Sequence, residues 1–345
     1  MLSIDVDYLK TTLLQLLKTP STAGLTRANL SFVEQELQAM GLHTRWTRRG
    51  ALQAYNAPDA EPRRGVAAHV DTLGLVVREL KANGRVGVLP IGSWSSRMAE
   101  GARVNIHTGQ AQSFRGSVMP LKSSVHASSK EVDEQPVNWD QVEIRVDQKV
   151  QNKADLEALG IQVGDLVSVD AQPEILDSGF VVSRFLDDLG GVACLLATLK
   201  AMKPEDHGDA TLFYFSNYEE QGHGASVTLP QSVEELVGVD IAIVAPGQNS
   251  QEDKLSVVFL DNSGPFDPVL TRKLEQLAIA NDLPYVRDVF RYYFSDCAAA
   301  LQAGNDVRHA LIGFGTDASH SYERTHLESL VATCQLLGAY LKTTL

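Results

Sequence analysis

Tyr214-Phe215-Ser216-Asn217-Tyr218-Glu219-Glu220-Gln221-Gly222-His223-Gly224 is the stretch on which the rest of the chain turns. The β-branched and aromatic run over residues 210–215 predicts a buried strand. It empties into two adjacent carboxylates and then two glycines. Open α/β sheets place their chemistry at the C-terminal ends of strands. Neighbouring residues there can point in different directions, so one carboxylate can bind a metal while the other handles a proton. An isolated Glu-Glu is more often a solvated acidic turn, so the reading depends on partners elsewhere.

Downstream, the βα alternation continues. It predicts helices over residues 232–237 and 268–281, and after Ser295-Asp296 through 303, with a final one over 327–341. Strands are expected over residues 241–245, 255–260, 285–293 and 309–313. Upstream, Asp187-Asp188 and Gly190-Gly191 lead into a helix over 192–202, its glycine pair suited to close packing. Two amphipathic helices open the chain, followed by strands over 42–46, 51–55 and 65–68. The last of these ends at His69-Val70-Asp71-Thr72.

Between residues 74 and 176 the character changes. Short β-like runs separated by Gly, Asn, Ser and Asp turns replace the βα pattern, with one helical segment over 153–159. Residues 123–135 read as a polar, mobile loop. The expected fold is α/β, a central mixed sheet flanked by helices, with an inserted small all-β barrel domain. Residues 1–73 and 177–345 would form the α/β domain and 74–176 the insertion.

Composition narrows the function. The net charge is -13 with no offsetting basic block, which argues against nucleic acid and anionic membranes as partners. Cys194, Cys297 and Cys334 are odd in number and widely spaced, as in a reducing compartment. The N-terminal stretch lacks the pattern of a signal peptide, and no apolar run reaches the roughly 18 residues of a membrane span. A soluble, cytoplasmic protein is expected.

Four polar clusters fall at strand ends or in loops: His69 with Asp71, Asp187 with Asp188, Glu219 with Glu220, and His320. Singly, each has a plain explanation: a core histidine, a helix cap, an acidic turn, a loop. Together they make the inventory of a hydrolytic metal centre. Zinc takes nitrogen and oxygen ligands and leaves a position for water. A carboxylate shared by two ions about 3.5–4 Å apart helps to generate hydroxide and polarise a carbonyl. A nearby non-ligand carboxylate must then move the proton, and another can orient a histidine ligand. Ser-His-Asp chemistry competes through Ser295-Asp296 and Ser319-His320, but neither serine sits in a recognisable elbow.

Ala67-Ala68-His69-Val70-Asp71, Leu186-Asp187-Asp188-Leu189-Gly190-Gly191, Glu219-Glu220-Gln221-Gly222 with Gly224-Ala225, Ser295-Asp296-Cys297-Ala298, and His320-Ser321 with Glu323 occur in one order. Together they resemble the tetrahedral-aminopeptidase and glutamyl-aminopeptidase family of co-catalytic metallopeptidases, over nearly the whole chain. The resemblance implies a zinc-exopeptidase-like fold and two divalent ions, zinc or cobalt. It implies that His69 binds one metal, that Asp71 orients His69 through its carboxylate, and that Asp187 bridges both ions with Asp188 in support. Glu219 would be the general base and acid. Glu220 would join the first metal and His320 would bind the second, with His326 as the competitor. A homo-oligomer built through the β insertion is implied as well, often a dodecamer, acting on peptides or small amides.

Departures from the family pattern qualify this. A ligand Asp usually ends the strand after the Glu-Glu motif, where this chain has Ala245-Pro246. The second site is then expected to be weaker, filled by Gln248, Asn249 or Asp253, or absent. Asp240 is set aside as lying at the strand's other end. Thr72, Leu189 and Tyr293-Phe294 also depart from the pattern, around the expected substrate pocket. An aminopeptidase or small-peptide hydrolase is the leading expectation. The alternatives are a deacylase or amidohydrolase acting on a small N-acylated or amidated compound, and a non-catalytic assembly module.

Overall fold

Four neighbouring parallel strands lead the His69, Glu219 and His320 clusters to one edge of a sheet. They are β1 (Arg64–His69), β2 (Thr211–Ser216), β3 (Glu235–Val244) and β4 (Arg308–Asp317), in the spatial order β2-β1-β3-β4. Every residue of β1 and β2 is buried, as suits strands covered on both faces. The structure, a computed structural model, describes residues 2–203, 206 and 208–345. Met1, Pro204, Glu205 and His207 lie outside these.

Further strands, most of them antiparallel to their neighbours, extend this core into a mixed sheet of eleven strands among the described residues, with Leu255–Val258 pairing β4 and Tyr285–Asp288 pairing it in turn. Leu52–Tyr55 and then His43–Trp46 continue beyond β2. Glu323–His326, Phe180–Ser183 and Glu174–Ile175 continue beyond β4. Helices Val6–Lys18, Leu186–Ala201, Pro268–Ala280 and Leu327–Leu341 belong to the flanking layers. The first is capped by Asp5, whose side chain accepts the Tyr8 N–H, and it buries Leu9, Leu13, Leu16 and Leu17. The glycine pair works as expected: a Cβ on Gly190 would sit 2.4 Å from Cζ of the buried Phe314. Burying a ring of that size contributes about 2 kcal/mol, so Gly190→Ala would sacrifice packing on both sides.

Residues 74–169 form a closed six-stranded barrel. Its strands are Gly74–Leu80, Val86–Ile91, Arg103–His107, Ser113–Pro120, Val142–Val146 and Leu166–Val169. Val77, Val86, Val88, Val104, Ile106, Val118, Ile144 and Val167 fill its core.

Several local expectations are corrected. Residues 232–237 do not form a helix; the chain is already extended at Glu235 and stays so through Val244. The helical period of Val-Glu-Glu-Leu-Val misleads because Glu235 is a buried charge within a strand. It is accommodated by the Tyr340 hydroxyl at 3.0 Å and by Lys273 Nζ at 3.3 Å. The strand expected over 285–293 stops at Asp288, and the one over 309–313 runs the full length of β4. Residues 123–135 hold two one-turn helices, Val125–Ser128 and Glu131–Glu134. Helix Leu186–Ala201 starts before residue 192, although Asp187 and Asp188 are not helical and share a cis peptide bond.

Candidate metal centre

The register of the parallel strands does most of the positioning. Ala67 of β1 pairs with Gly238 of β3, so two residues further along each strand His69 stands level with Asp240. β2 ends at Ser216, opposite His69, and the turn carrying Glu219 and Glu220 follows at once. That turn is pinned from β1's exit: the Asp71 carboxylate accepts the backbone N–H of Glu219 at 3.0 Å and of Glu220 at 3.2 Å. Phe185, Tyr218 and His320 all have positive φ, near +65°. Such backbone persists only where the surroundings enforce it, and it clusters at functional sites.

Asp187 stands at the middle. Its Oδ1 lies 3.0 Å from His69 Nε2 and its Oδ2 lies 3.2 Å from His320 Nε2. Glu219 Oε2 is 3.7 Å from His69 Nε2, and Glu220 Oε2 is 3.6 Å from His320 Nε2. Two groups of potential ligand atoms result, each within 4.8 Å: His69 with Asp187 and Asp240, and Asp187 with Glu220 and His320. Further carboxylates hold the backbone. Asp188 accepts the His69 and Gly191 N–H groups, while Glu323 accepts those of Asp187 and His320.

The two imidazoles are oriented alike. His69 Nδ1 is 2.9 Å from the backbone carbonyl of Asp71, and His320 Nδ1 is 2.7 Å from that of Ser93. A carbonyl only accepts, so each Nδ1 donates and each Nε2 turns a lone pair or a second proton toward Asp187. Although burial opposes it, hydrogen bonds from His320 and His69 hold Asp187 below the usual carboxylate range, while the groups around it are pushed toward their protonated forms. Burial opposes the charge on His320, but Glu220 and Asp187 outweigh it and hold its pKa up to about 11. Burial likewise opposes charge on His69, and Glu219, Asp187 and Asp240 drive its pKa well above the usual imidazole value. Burial pushes Glu220 and Glu323 each up to about 8, with Asp187 adding to both. Glu219, Asp188 and Asp240 are also raised well above ordinary carboxylates, burial being the largest cause for each.

Divalent cations suit this donor set. Among the described residues these carboxylates form ion pairs with the two histidines alone. Oε1 of Glu220 is buried without a hydrogen-bond partner. Nitrogen and oxygen donors around a shared carboxylate are the ligand types that zinc takes.

His69, Asp187, Glu219, Glu220 and His320 therefore converge, with Asp71 directly behind the turn. Three details differ from expectation. Glu220 groups with His320, not with His69. The Asp71 carboxylate is 3.9 Å from His69 Nδ1 and spends its hydrogen bonds on the turn, while its own carbonyl orients the ring. Asp240, not Gln248, Asn249 or Asp253, lies within reach of His69 and Asp187. Gln248 and Asn249 instead contact Asp288, and Asp253 lines a surface groove with Phe180 and His326. His326 caps the last helix and points Nε2 at the Ser178 carbonyl. Ser295 is a helix cap, accepting the Ala298 N–H.

The departures adjoin the centre's residues in sequence or in space, but the cavity that two of them line contains none of those residues. Thr72 and Leu189 line a cavity of about 340 Å³ where the barrel meets the sheet body. Tyr293 is buried and donates its hydroxyl to the Ile241 carbonyl at 3.1 Å, beside Asp240.

Comparison with known proteins agrees with this architecture. The model of a family described as M42 glutamyl aminopeptidase matches residues 50–336. YhfE of Bacillus subtilis, which carries an aminopeptidase name, is 37% identical over 332 residues, 95% of this chain and 96% of YhfE. The glutamyl aminopeptidase of Lactococcus lactis is 23% identical over 204 residues, 58% of this chain and 56% of its own length. An aminopeptidase from the archaeon Desulfurococcus kamchatkensis superposes with a TM-score of 0.87 at 20% identity, covering 98% of this chain and 95% of that one. The TET1 peptidase of Pyrococcus horikoshii, which can assemble into a tetrahedron or a large octahedral shell, also superposes with a TM-score of 0.87. It is 19% identical and covers 97% of this chain and 100% of its own. At these identities the two structures establish a shared fold.

Proposed function

This chain belongs to the M42 glutamyl aminopeptidase family, and from that membership and its polar centre we propose that it is a two-metal aminopeptidase acting on small peptides. The observation that carries the proposal is Asp187, with one oxygen toward each histidine and Glu219 alongside.

His69, Asp187 and Asp240 would hold one divalent ion, zinc or cobalt, and Asp187, Glu220 and His320 the other. Such ions supply Lewis acidity, polarising the scissile carbonyl and acidifying water. The chain's own residues do the rest. Glu219, outside both ligand groups, takes the proton from water and returns it to the leaving amine. Its Oε2 lies 3.7 Å from His69 Nε2, and Asp71 fixes the backbone from which it projects. Asp188 and Glu323 hold the backbone of the ligands in place. Orienting groups of this kind tune ligand geometry in metal sites.

Residues 1–73 and 177–345 would make up the catalytic domain, with residues 74–176 as an inserted unit for self-association. The shell-forming TET1 peptidase of the same fold supports a homo-oligomer, a dodecamer being the form expected from the family. Cys194, Cys297 and Cys334 are free and buried, which fits a reducing compartment such as the cytoplasm. Among the described residues no helix is long and apolar enough to cross a membrane.

Peptides offered with a free and with an acetylated N-terminus test the substrate class. The proposal expects cleavage of the free-amine series alone. Cleavage confined to the acetylated series would replace it with the deacylase reading, for which Thr72, Leu189 and Tyr293 are the motive.

A further inference from the structure

Ser93 belongs to the barrel, yet it holds His320. We propose that barrel residues 92–98 are a positioning element for one half of the metal centre, with the Ser93 carbonyl fixing His320 so that Nε2 faces the ion shared with Glu220. The inference rests on the two-metal reading above and adds to the insertion a role other than self-association.

Four contacts carry it. The Ser93 carbonyl takes the His320 Nδ1–H at 2.7 Å, which leaves the Nε2 lone pair for a cation. One residue earlier, Gly92 has a φ of +85°, and a Cβ there would lie 3.3 Å from Glu220 Oε2 and 2.3 Å from Leu73 Cδ2. The segment thus passes directly against the second residue of the same ligand group. At its far end it is tied to the sheet body: the half-buried Arg184 donates Nη1 to the Met98 carbonyl at 2.9 Å, and Ser321 Oγ contacts Met98 Sδ at 3.0 Å. Arg184 also sits over the Tyr322 ring at 5.9 Å, and the Tyr322 hydroxyl donates to the Gln172 carbonyl at 2.8 Å. His320 has a φ of +62°, a conformation that needs such support.

The other half of the centre is built differently. His69 takes its orienting carbonyl from Asp71, two residues along its own chain, and Asp240 lies within β3. A displaced barrel segment should therefore loosen the ion at Glu220 and His320 and spare the ion at His69 and Asp240. Loss of a group that orients a ligand costs about 10- to 100-fold in metal affinity.

The test is zinc titration of the metal-stripped full-length protein against a chromophoric chelator, resolving two dissociation constants. Circular dichroism would check the fold, and the absorption spectrum of the cobalt form would check the ligand geometry. Gly92→Ala and Arg184→Gln should each raise one constant about 10-fold or more and leave the other within about twofold. Arg184→Lys, which keeps a donor, should restore most of the affinity. Both constants unchanged in Gly92→Ala and Arg184→Gln, or both raised equally, would overturn the inference while leaving the metal centre intact. A wild-type protein that takes up no zinc would overturn both together. Should Arg184→Gln not fold, Gly92→Ala carries the same outcomes.

Discussion

The carboxylate of Asp71 accepts the backbone N–H of Glu219 at 3.0 Å, so the residue that leaves β1 fixes the one that enters the chemistry from β2. A second oxygen of Asp71 does the same for Glu220 at 3.2 Å, and Asp71 itself is fully buried. Asp71→Ala would leave two half-buried N–H groups without their acceptor, each at a cost of up to the about 1–3 kcal/mol of a fully buried group. The expected outcome is a lower unfolding free energy in denaturant titration and a kcat that falls much more than KM rises. Asp71→Asn keeps one acceptor and should lie between the two.

Replacing Glu219 by Gln removes the proton acceptor while keeping its size. General acid–base groups contribute about 10²- to 10⁴-fold, so kcat should fall within that range. Zinc content should stay at the wild-type level, because Glu219 belongs to neither ligand group. Full activity in this variant would assign the proton transfer elsewhere.

Asp240 is the residue whose placement most changes the account. Asp240→Ala removes one of three side chains from the His69 group and none from the His320 group. Zinc bound per chain should drop by about one equivalent after dialysis against a mild chelator, with the remaining ion held as before.

Metal removal should also alter the pH dependence of stability. In the metal-free protein Glu220 and Glu323 hold protons up to about pH 8, and His320 to about 11. Unfolded, these groups titrate at about 4.3 for Glu and 6.5 for His. The folded chain thus binds more protons than the unfolded chain throughout that window. The stability contributed is fully present below the unfolded values and is lost as pH rises through the folded ones. Unfolding of stripped protein should become easier from about pH 5 to 8. Saturating zinc should flatten that slope and raise Tm, since it binds the folded form. A stripped protein that grows more stable across the same range would contradict the assignment.

Much of the fold was legible because period and composition change where the architecture changes. The barrel followed from short runs between turn residues, and the last helix from its apolar spacing. His69, Asp187, Glu219, Glu220 and His320 stood out as polar residues at the ends of apolar runs. Asp240 did not, for a physical reason. It sits inside a ten-residue strand whose first residue, Glu235, is a buried charge, so the strand's beginning resembled a helix and its middle resembled a start. Only pairing with β1 reveals that Asp240 is level with His69. Glu323 carries no sequence signal of its role, because it accepts two backbone N–H groups, which side-chain chemistry does not advertise. Ser93 acts through a carbonyl, which every residue type possesses, so its place beside His320 had no sequence signal.

Metal content of the purified full-length protein, counted by mass spectrometry before and after reloading a stripped sample, bears most directly on the central claim. About two divalent ions per chain are expected, with peptidase activity lost on stripping and regained with zinc or cobalt. A chain that holds no ion, gains none on reloading and shows no response in activity would contradict the two-metal account.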